Sequence, residues 1–488
     1  MNKNSCTAAL EPDAVSARQE ADFLTDGNGT ITGYTGSAKN IVIPASIEGK
    51  PITSIGNHAF EYNELTSVTI PAGIITIGER AFSRNELTSV TVPDGVTAID
   101  GYAFAENQLK SVTIPDSVTS IGTGAFTENQ LKSVTIPNGV TSIGTGAFAE
   151  NQLKSVTIPD GVISIGAGAF AENQLKSVTI PDSVTSIGER AFLRNKLTSV
   201  TIPAGVITIG ERAFSRNELS SVTIPNSVTV IGGYAFSRNK LRSITIPCGV
   251  TAIGGYAFAE NQLKSVTIPA SVTAIGVCAF ASNVALKEIL CDEGNPAYTS
   301  TDGVLLSKDS RILFSYPAGK AIVYGGGAFS RSKQTSVIIP GGITVIGECA
   351  FEGSKLTNVT IPDGVTSIGD SAFKYNELTS VTIPASVTSI GKSAFEGNKL
   401  TNADIRNGVI AIGDCAFAFN KLTRVAIPAS VTAIGDYAFA YNELADVTLG
   451  GNVAMPAAAF DGGFAQVYDA SGKQAGTYAP RNGAWIKQ

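Results

Sequence analysis

Sorted into apolar and polar positions, residues 109–130 read LKSVTIPDSVTSIGTGAFTENQ, and the same order begins again at Leu131, Leu153 and Leu175. Leu109, Val112 and Ile114 are apolar, and Ser111 and Thr113 alternate with them. Period-two alternation with β-branched residues predicts a strand. Pro115 ends it, because proline has no N–H for a ladder. Val118 and Ile121 predict a second short extended piece. Gly122 is expected at a corner that needs φ > 0. Ala125 and Phe126 then turn back inward. That last segment is too short for a helix, so a helical turn or an irregular loop is expected.

The unit recurs along most of the chain. Coils start at Leu65, Leu87, Leu109, Leu131, Leu153, Leu175, Leu197, Leu219, Leu241 and Leu263, then one residue late at Leu286. Residues 295–320 interrupt the pattern. Within them Val304-Leu305-Leu306 and Ile312-Leu313-Phe314 flank Lys308-Asp309-Ser310, which predicts a hairpin. Gln334 takes the Leu slot, and Leu356, Leu378, Leu400, Leu422 and Leu444 continue the series. A single coil cannot bury its own apolar face, so the coils must stack into a solenoid with irregular terminal caps. The expected divisions are a flexible tail (1–22), a capping coil (23–64), regular repeats (65–285), an atypical repeat with a hairpin insertion (286–333), regular repeats (334–449) and a C-terminal cap (450–488). In the first coil extra residues around Glu48 and Ile52 separate the two halves. In the cap, residues 465–468 and 474–478 flank Ser471-Gly472, which predicts a small β-hairpin, with Trp485 closing that end.

These residues carry a family resemblance. The LxxVxIP…VTSIGxxAFxxN unit resembles the BspA-like class of bacterial leucine-rich repeat proteins. So do Thr32-Gly33-Tyr34-Thr35-Gly36, Ile52-Thr53-Ser54-Ile55-Gly56 and Asn295-Pro296…Asp302-Gly303-Val304-Leu305. The Asn-Gln-Leu joint and the Gly472-Lys473…Gly476-Thr477-Tyr478…Trp485 tail are similar to spirochaete members. The likeness spans about residues 30–450. It implies a right-handed leucine-rich repeat coil with 22-residue repeats. A parallel sheet on one face, short strands and turns on the other, and β-hairpin caps complete it. It also implies a surface-exposed or secreted protein, often adhesive towards host proteins or other bacteria.

Composition narrows the function. The net charge of −6 gives no bulk attraction to nucleic acid or anionic lipid. No apolar run approaches the ~20 residues that span a bilayer. The first residues carry a lysine and no apolar h-region, so no intact signal peptide is expected there. A monomer with no cofactor is expected. Catalysis is not expected: His58 is the one histidine, and no Ser–His–Asp set, phosphate loop or metal-ligand spacing appears. Cys278, Cys349 and Cys415 share one repeat position. Cys349 and Cys415 lie three coils apart, ~14 Å at ~4.8 Å per coil, beyond the ~7 Å that a disulfide tolerates. Cys278 and Cys291 are near enough in sequence to pair.

Candidate contact residues follow from what the core leaves outside. The Asn column, from Asn63 to Asn442, is expected to bond the backbones of adjacent coils. Outward on the strand, Lys110, Ser111 and Thr113 recur as Lys132, Ser133 and Thr135, as Lys154, Ser155 and Thr157, and as Lys176, Ser177 and Thr179. Three readings fit these rows. They are a solubilising strand face, a protein-binding surface on the concave side, or an ice-like lattice that curvature would spoil. Glu106, Glu128, Glu150 and Glu172 run nearby and are expected to neutralise the lysines. In the insertion, Tyr298, Phe314 and Tyr316 are candidate contacts by their aromatic character, or else they pack the hairpin onto the stack. The function expected is a non-catalytic module binding host or bacterial surface proteins. The alternative is a passive spacer of the envelope with no specific ligand.

Overall fold

The structure is a computed structural model and describes residues 20–317, 336–339, 342–481 and 484–488. Most of the expected tail and the Gln334 slot lie outside the described residues. The chain divides into two units, one ending at Val228 and one starting at Thr229.

The first unit opens with an antiparallel hairpin, Phe23–Thr25 on Thr30–Tyr34. Phe23 and Tyr34 pack on Phe60 with ring centroids 6.1 and 5.8 Å away, closing the end of the core. A second small hairpin, Ser46–Ile47 on Lys50–Pro51, accounts for the extra residues of the first coil. It turns at Glu48 and Gly49, both with positive φ, the combination that matches strand twist in a two-residue loop. From there the ladder runs in register through Ser54–Ile55, Thr76–Ile77, Ala98–Ile99, Ser120–Ile121, Ser142–Ile143, Ser164–Ile165, Ser186–Ile187 and Thr208–Ile209. All of these pairs are parallel.

This two-residue ladder, and not the Ser-Val-Thr strand, is the continuous sheet. Gly122 explains why. Its φ is not positive, against expectation, yet an added Cβ would lie 2.7 Å from the backbone of Asp100 and Gly101. Glycine is needed there for close approach of one coil to the next. The φ > 0 positions come after it, at Gly124 (60°) and Glu128 (52°). The corner between them consists of tight turns, with Ala125 N–H on the Gly122 carbonyl and Thr127 N–H on the Gly124 carbonyl. On the other side, Ser89–Thr91 pairs with Ser111–Thr113 and Ser199–Thr201 with Ser221–Thr223. Between these pairs only single bridges join Thr135, Thr157 and Thr179. Each such strand runs straight into proline, which leaves few donors. The Lys176 N–H reaches the Lys154 carbonyl at 3.4 Å, near the limit for a hydrogen bond.

Two buried columns bind coil to coil. The phenylalanine rings from Phe60 to Phe214 stack nearly parallel at 5.0–5.7 Å. Burying each ring contributes about 2–3 kcal/mol. The asparagines behave as straps. Asn129 Oδ1 accepts the Leu109 N–H at 2.9 Å, and its Nδ2 donates to the carbonyl of Phe104 at 2.9 Å. Leu109 opens the same coil and Phe104 belongs to the coil before it, so each Asn ties its own coil to its neighbour. The same geometry recurs at Asn151 and Asn173.

Within the second unit a parallel ladder runs through Val230–Ile231, Ala252–Ile253 and Ala274–Ile275. Then Tyr298–Thr301, Val304–Ser307 and Ile312–Ser315 form an antiparallel meander. Its last strand pairs in parallel with Val345–Ile346 and restarts the ladder, which runs on to Ala433–Ile434. The C-terminal end differs from expectation. Phe464–Ala470 is a helix, placing Phe464, Ala465 and Tyr468 on its buried side. The hairpin comes later, Gly476–Arg481 on Ala484–Lys487, and it extends the sheet by pairing with Asp446–Leu449. Trp485 and Tyr478 pack edge-on against Phe464.

Candidate partner-binding face

The strand of each coil turns its Val and Ile inward, so the alternate residues must face out. Lys110, Ser111, Thr113 and their equivalents in the next three coils are all exposed. Coil stacking sets them in rows, the threonines one coil apart. The four lysines have no ion-pair partner among the described residues. The expected neutralisation by the glutamates is not what the structure shows. Glu106 is paired with Arg84 and Glu172 with Arg194, each at 2.8 Å, within their own column. Glu128 and Glu150 stand between them. Burial, then the charges of Glu128 and Glu172, holds the Glu150 carboxyl above its ordinary 4.5. The lysines are therefore a free cationic row beside a row of hydroxyls. Such a surface donates many hydrogen bonds and suits a partner rich in carboxylates and carbonyls.

The three aromatic residues of the insertion are packing residues. Tyr298 is 5% exposed, and its hydroxyl accepts the Ile275 N–H at 2.9 Å. Phe314 meets it edge-on at 5.1 Å. Tyr316 stacks on Phe351 at 5.1 Å, and its N–H donates to the Ala350 carbonyl. It thus fills a place in the ring column.

That substitution shortens one corner. Leu313 stands level with Ile346, and Tyr316 already stands level with Phe351. Two residues of the usual corner are missing. Cys278 and Cys349 meet there in a disulfide, with Cα atoms 5.2 Å apart and a sequence separation of 71. The pairing of Cys278 with Cys291 does not form, and Cys291 is a half-buried free thiol. Burial pushes that thiol up. A cavity of about 180 Å³ lies beneath, lined by Ile275, Cys278, Leu305, Phe314 and Cys349 among others. Tyr256 places its hydroxyl 3.7 Å from Cys349 Sγ, and burial, with the nearby charge of Glu352, pushes its phenol up to about 12. Burial also pushes the Glu352 carboxyl up to about 7, opposed in part by Lys374. Sequence spacing could not bring these residues together. The one available signal was that the two cysteines share a repeat position.

The BspA-type leucine-rich repeat region matches in six copies, over residues 53–176, 163–287 and 324–445. The chain belongs to the BspA-type leucine-rich repeat family. Leucine-rich repeats of this kind are typically protein-binding modules, and repeat proteins of the family are generally non-enzymatic. Among solved structures, a leucine-rich repeat protein from Eubacterium ventriosum ATCC 27560 is 26% identical, with 61% of this chain and 74% of that one covered and a TM-score of 0.49. A leucine-rich cell surface protein from Faecalibacterium prausnitzii A2-165 is 27% identical, covering 92% and 96% with a TM-score of 0.45. The T. pallidum leucine-rich repeat protein is 29% identical, covering 32% and 81% with a TM-score of 0.26. No curated protein matches the chain. Among the described residues of this BspA-type protein, no helix is long and apolar enough to cross a membrane.

Proposed function

We propose that the chain is a non-catalytic adhesion module, displayed on a bacterial surface or secreted, that binds host or bacterial surface proteins through the exposed strand face of residues 109–180. The observation behind this reading is the free lysine row, Lys110, Lys132, Lys154 and Lys176, repeated at the coil spacing beside Ser and Thr. Each contact is weak alone, since an exposed charge contributes little. Identical contacts repeated along one rigid face add up by avidity. An extracellular setting is supported by the Cys278–Cys349 disulfide, because such bonds persist in oxidising compartments.

The test is a binding screen of the full chain against extracellular matrix proteins and bacterial surfaces, with a variant carrying Ser at all four lysine positions. Binding by the parent, weakened at least about tenfold in the variant and by added salt, is the expected result. A variant that keeps every interaction would overturn the assignment of this face. The monotony of the array favours a second reading, a spacer without a ligand, and a uniform absence of binding would support it.

A further inference from the structure

Two sulfur atoms and a carboxylate come together where the array is broken. The donor atoms of Cys278, Cys349 and Glu352 lie within 4.8 Å of one another. We propose that these three residues form a redox-gated site for zinc or a similar divalent cation, filled when the cysteines are thiols and closed when they are joined as a disulfide. The inference is independent of the adhesion reading.

The donor set fits the ion. Zinc takes cysteine thiolates at ~2.3 Å and a carboxylate oxygen at ~2.0–2.2 Å in a tetrahedron, and three protein ligands leave its fourth position open. Tyr256 is close by, its hydroxyl 3.7 Å from Cys349 Sγ. Glu352 supplies a second observation. Its Oε2 is buried and has no hydrogen-bond partner. A buried carboxylate oxygen without a donor is costly, and a bound cation would satisfy it. The neighbouring ammonium of Lys374 is bonded to Glu396 at 2.9 Å. Glu260 adds negative charge nearby. Both cysteines sit on corner tips with φ near 54°, and the Cys349 N–H is bonded to the Asp370 carbonyl at 2.9 Å.

The two states exchange by defined chemistry. A dithiol reductant supplies two electrons and two protons to the S–S bond and is itself oxidised to a disulfide. The cation then displaces the two thiol protons, and the carboxyl proton where Glu352 carries one, forming two metal–sulfur bonds and one metal–oxygen bond. Loss of the ion and transfer of two electrons to a disulfide oxidant remake the S–S bond.

Cobalt(II) is the probe, because its thiolate complexes absorb by sulfur-to-metal charge transfer. The full chain is reduced with a dithiol, desalted without oxygen and titrated with Co²⁺, then with Zn²⁺. The expected result is one Co²⁺ per reduced chain with the charge-transfer band, displaced by Zn²⁺, and no band in the oxidised chain. Cys278→Ser should abolish the band, and its fold should persist, since Ser371 and Ser393 hold the same slot in other coils. Glu352→Gln should keep the sulfur band and weaken binding at least about tenfold. Cys415→Ser should change nothing. A reduced chain without the band, or a band that survives Cys278→Ser, would overturn the proposal.

Discussion

In the coils between residues 109 and 180 every corner closes at one length, and each buried Asn finds equivalent partners, a Leu N–H in its own coil and a Phe carbonyl in the coil before it. Between residues 276 and 352 one corner is short by two residues, and beside it the Glu352 Oε2 is buried without a hydrogen bond. Ser271 Oγ, Glu352 Oε2, Ser354 Oγ and Ser386 Oγ are the buried side-chain atoms left without a hydrogen bond among the described residues, and all four lie in the second unit. The regular stretch offers a surface and hides its polar chemistry. The broken stretch gathers unlike groups in one place and leaves some of them unsatisfied. Repetition yields an array for recognition, while interruption yields a local site.

The comparison can be broken most severely at the ring column. Phe148 stacks between Phe126 and Phe170 at 5.4 and 5.7 Å. Phe148→Ala is expected to cost about 3–5 kcal/mol in denaturant unfolding. Next comes the staple. Cys278→Ser, measured without reductant, should destabilise the second unit by about 2–4 kcal/mol and leave amide exchange in residues 109–180 unchanged. A pair of glycines separates two kinds of constraint. Gly144→Ala would set its Cβ 2.5 Å from the Gly122 backbone, while Gly146 has φ 63° with nothing within 4 Å. The first should cost about 1–3 kcal/mol by overpacking, and the second about 1 kcal/mol, at a slot where other coils carry Tyr or Arg.

The smallest effect lies in the glutamate row. The Glu150 carboxyl is raised, so the folded chain holds its proton more tightly than the unfolded chain does. Its contribution is most favourable below the ordinary 4.5 and is lost as pH rises through the higher folded value. Glu150→Gln should therefore raise the melting temperature slightly at neutral pH, with the difference shrinking towards pH 4. An equal gain at both ends would mean that burial and like-charge crowding of the Glu150 carboxylate are not its cause.

Much of the fold could be read from the letters because its physics is periodic. Leu109, Val112, Ile114, Ile121 and Phe126 carry their role in their spacing, and the Asn column carries its role in being polar at a fixed corner. Gly122 misled because glycine serves two purposes, and close approach appears only when the neighbouring coil is in place. Residues 464–470 misled because Phe464, Ala465 and Tyr468, at helical spacing, also suit a short strand. The disulfide was illegible because a shortened corner, and not a sequence distance, brings Cys278 to Cys349. On the candidate face, exposure followed from alternation, whereas the pairing of Glu106 and Glu172 with arginines depended on side-chain reach.

The asparagine straps have a consequence for descent. Each coil completes the backbone of the one before it, through a partner that is the same residue every time. Deleting or duplicating a whole coil within residues 109–196 rejoins equivalent partners and leaves no bond orphaned. Array length is thus a nearly neutral trait, free to drift by recombination between matching stretches of the gene. Selection can lengthen or shorten the reach of such a protein without having to invent a new fold each time.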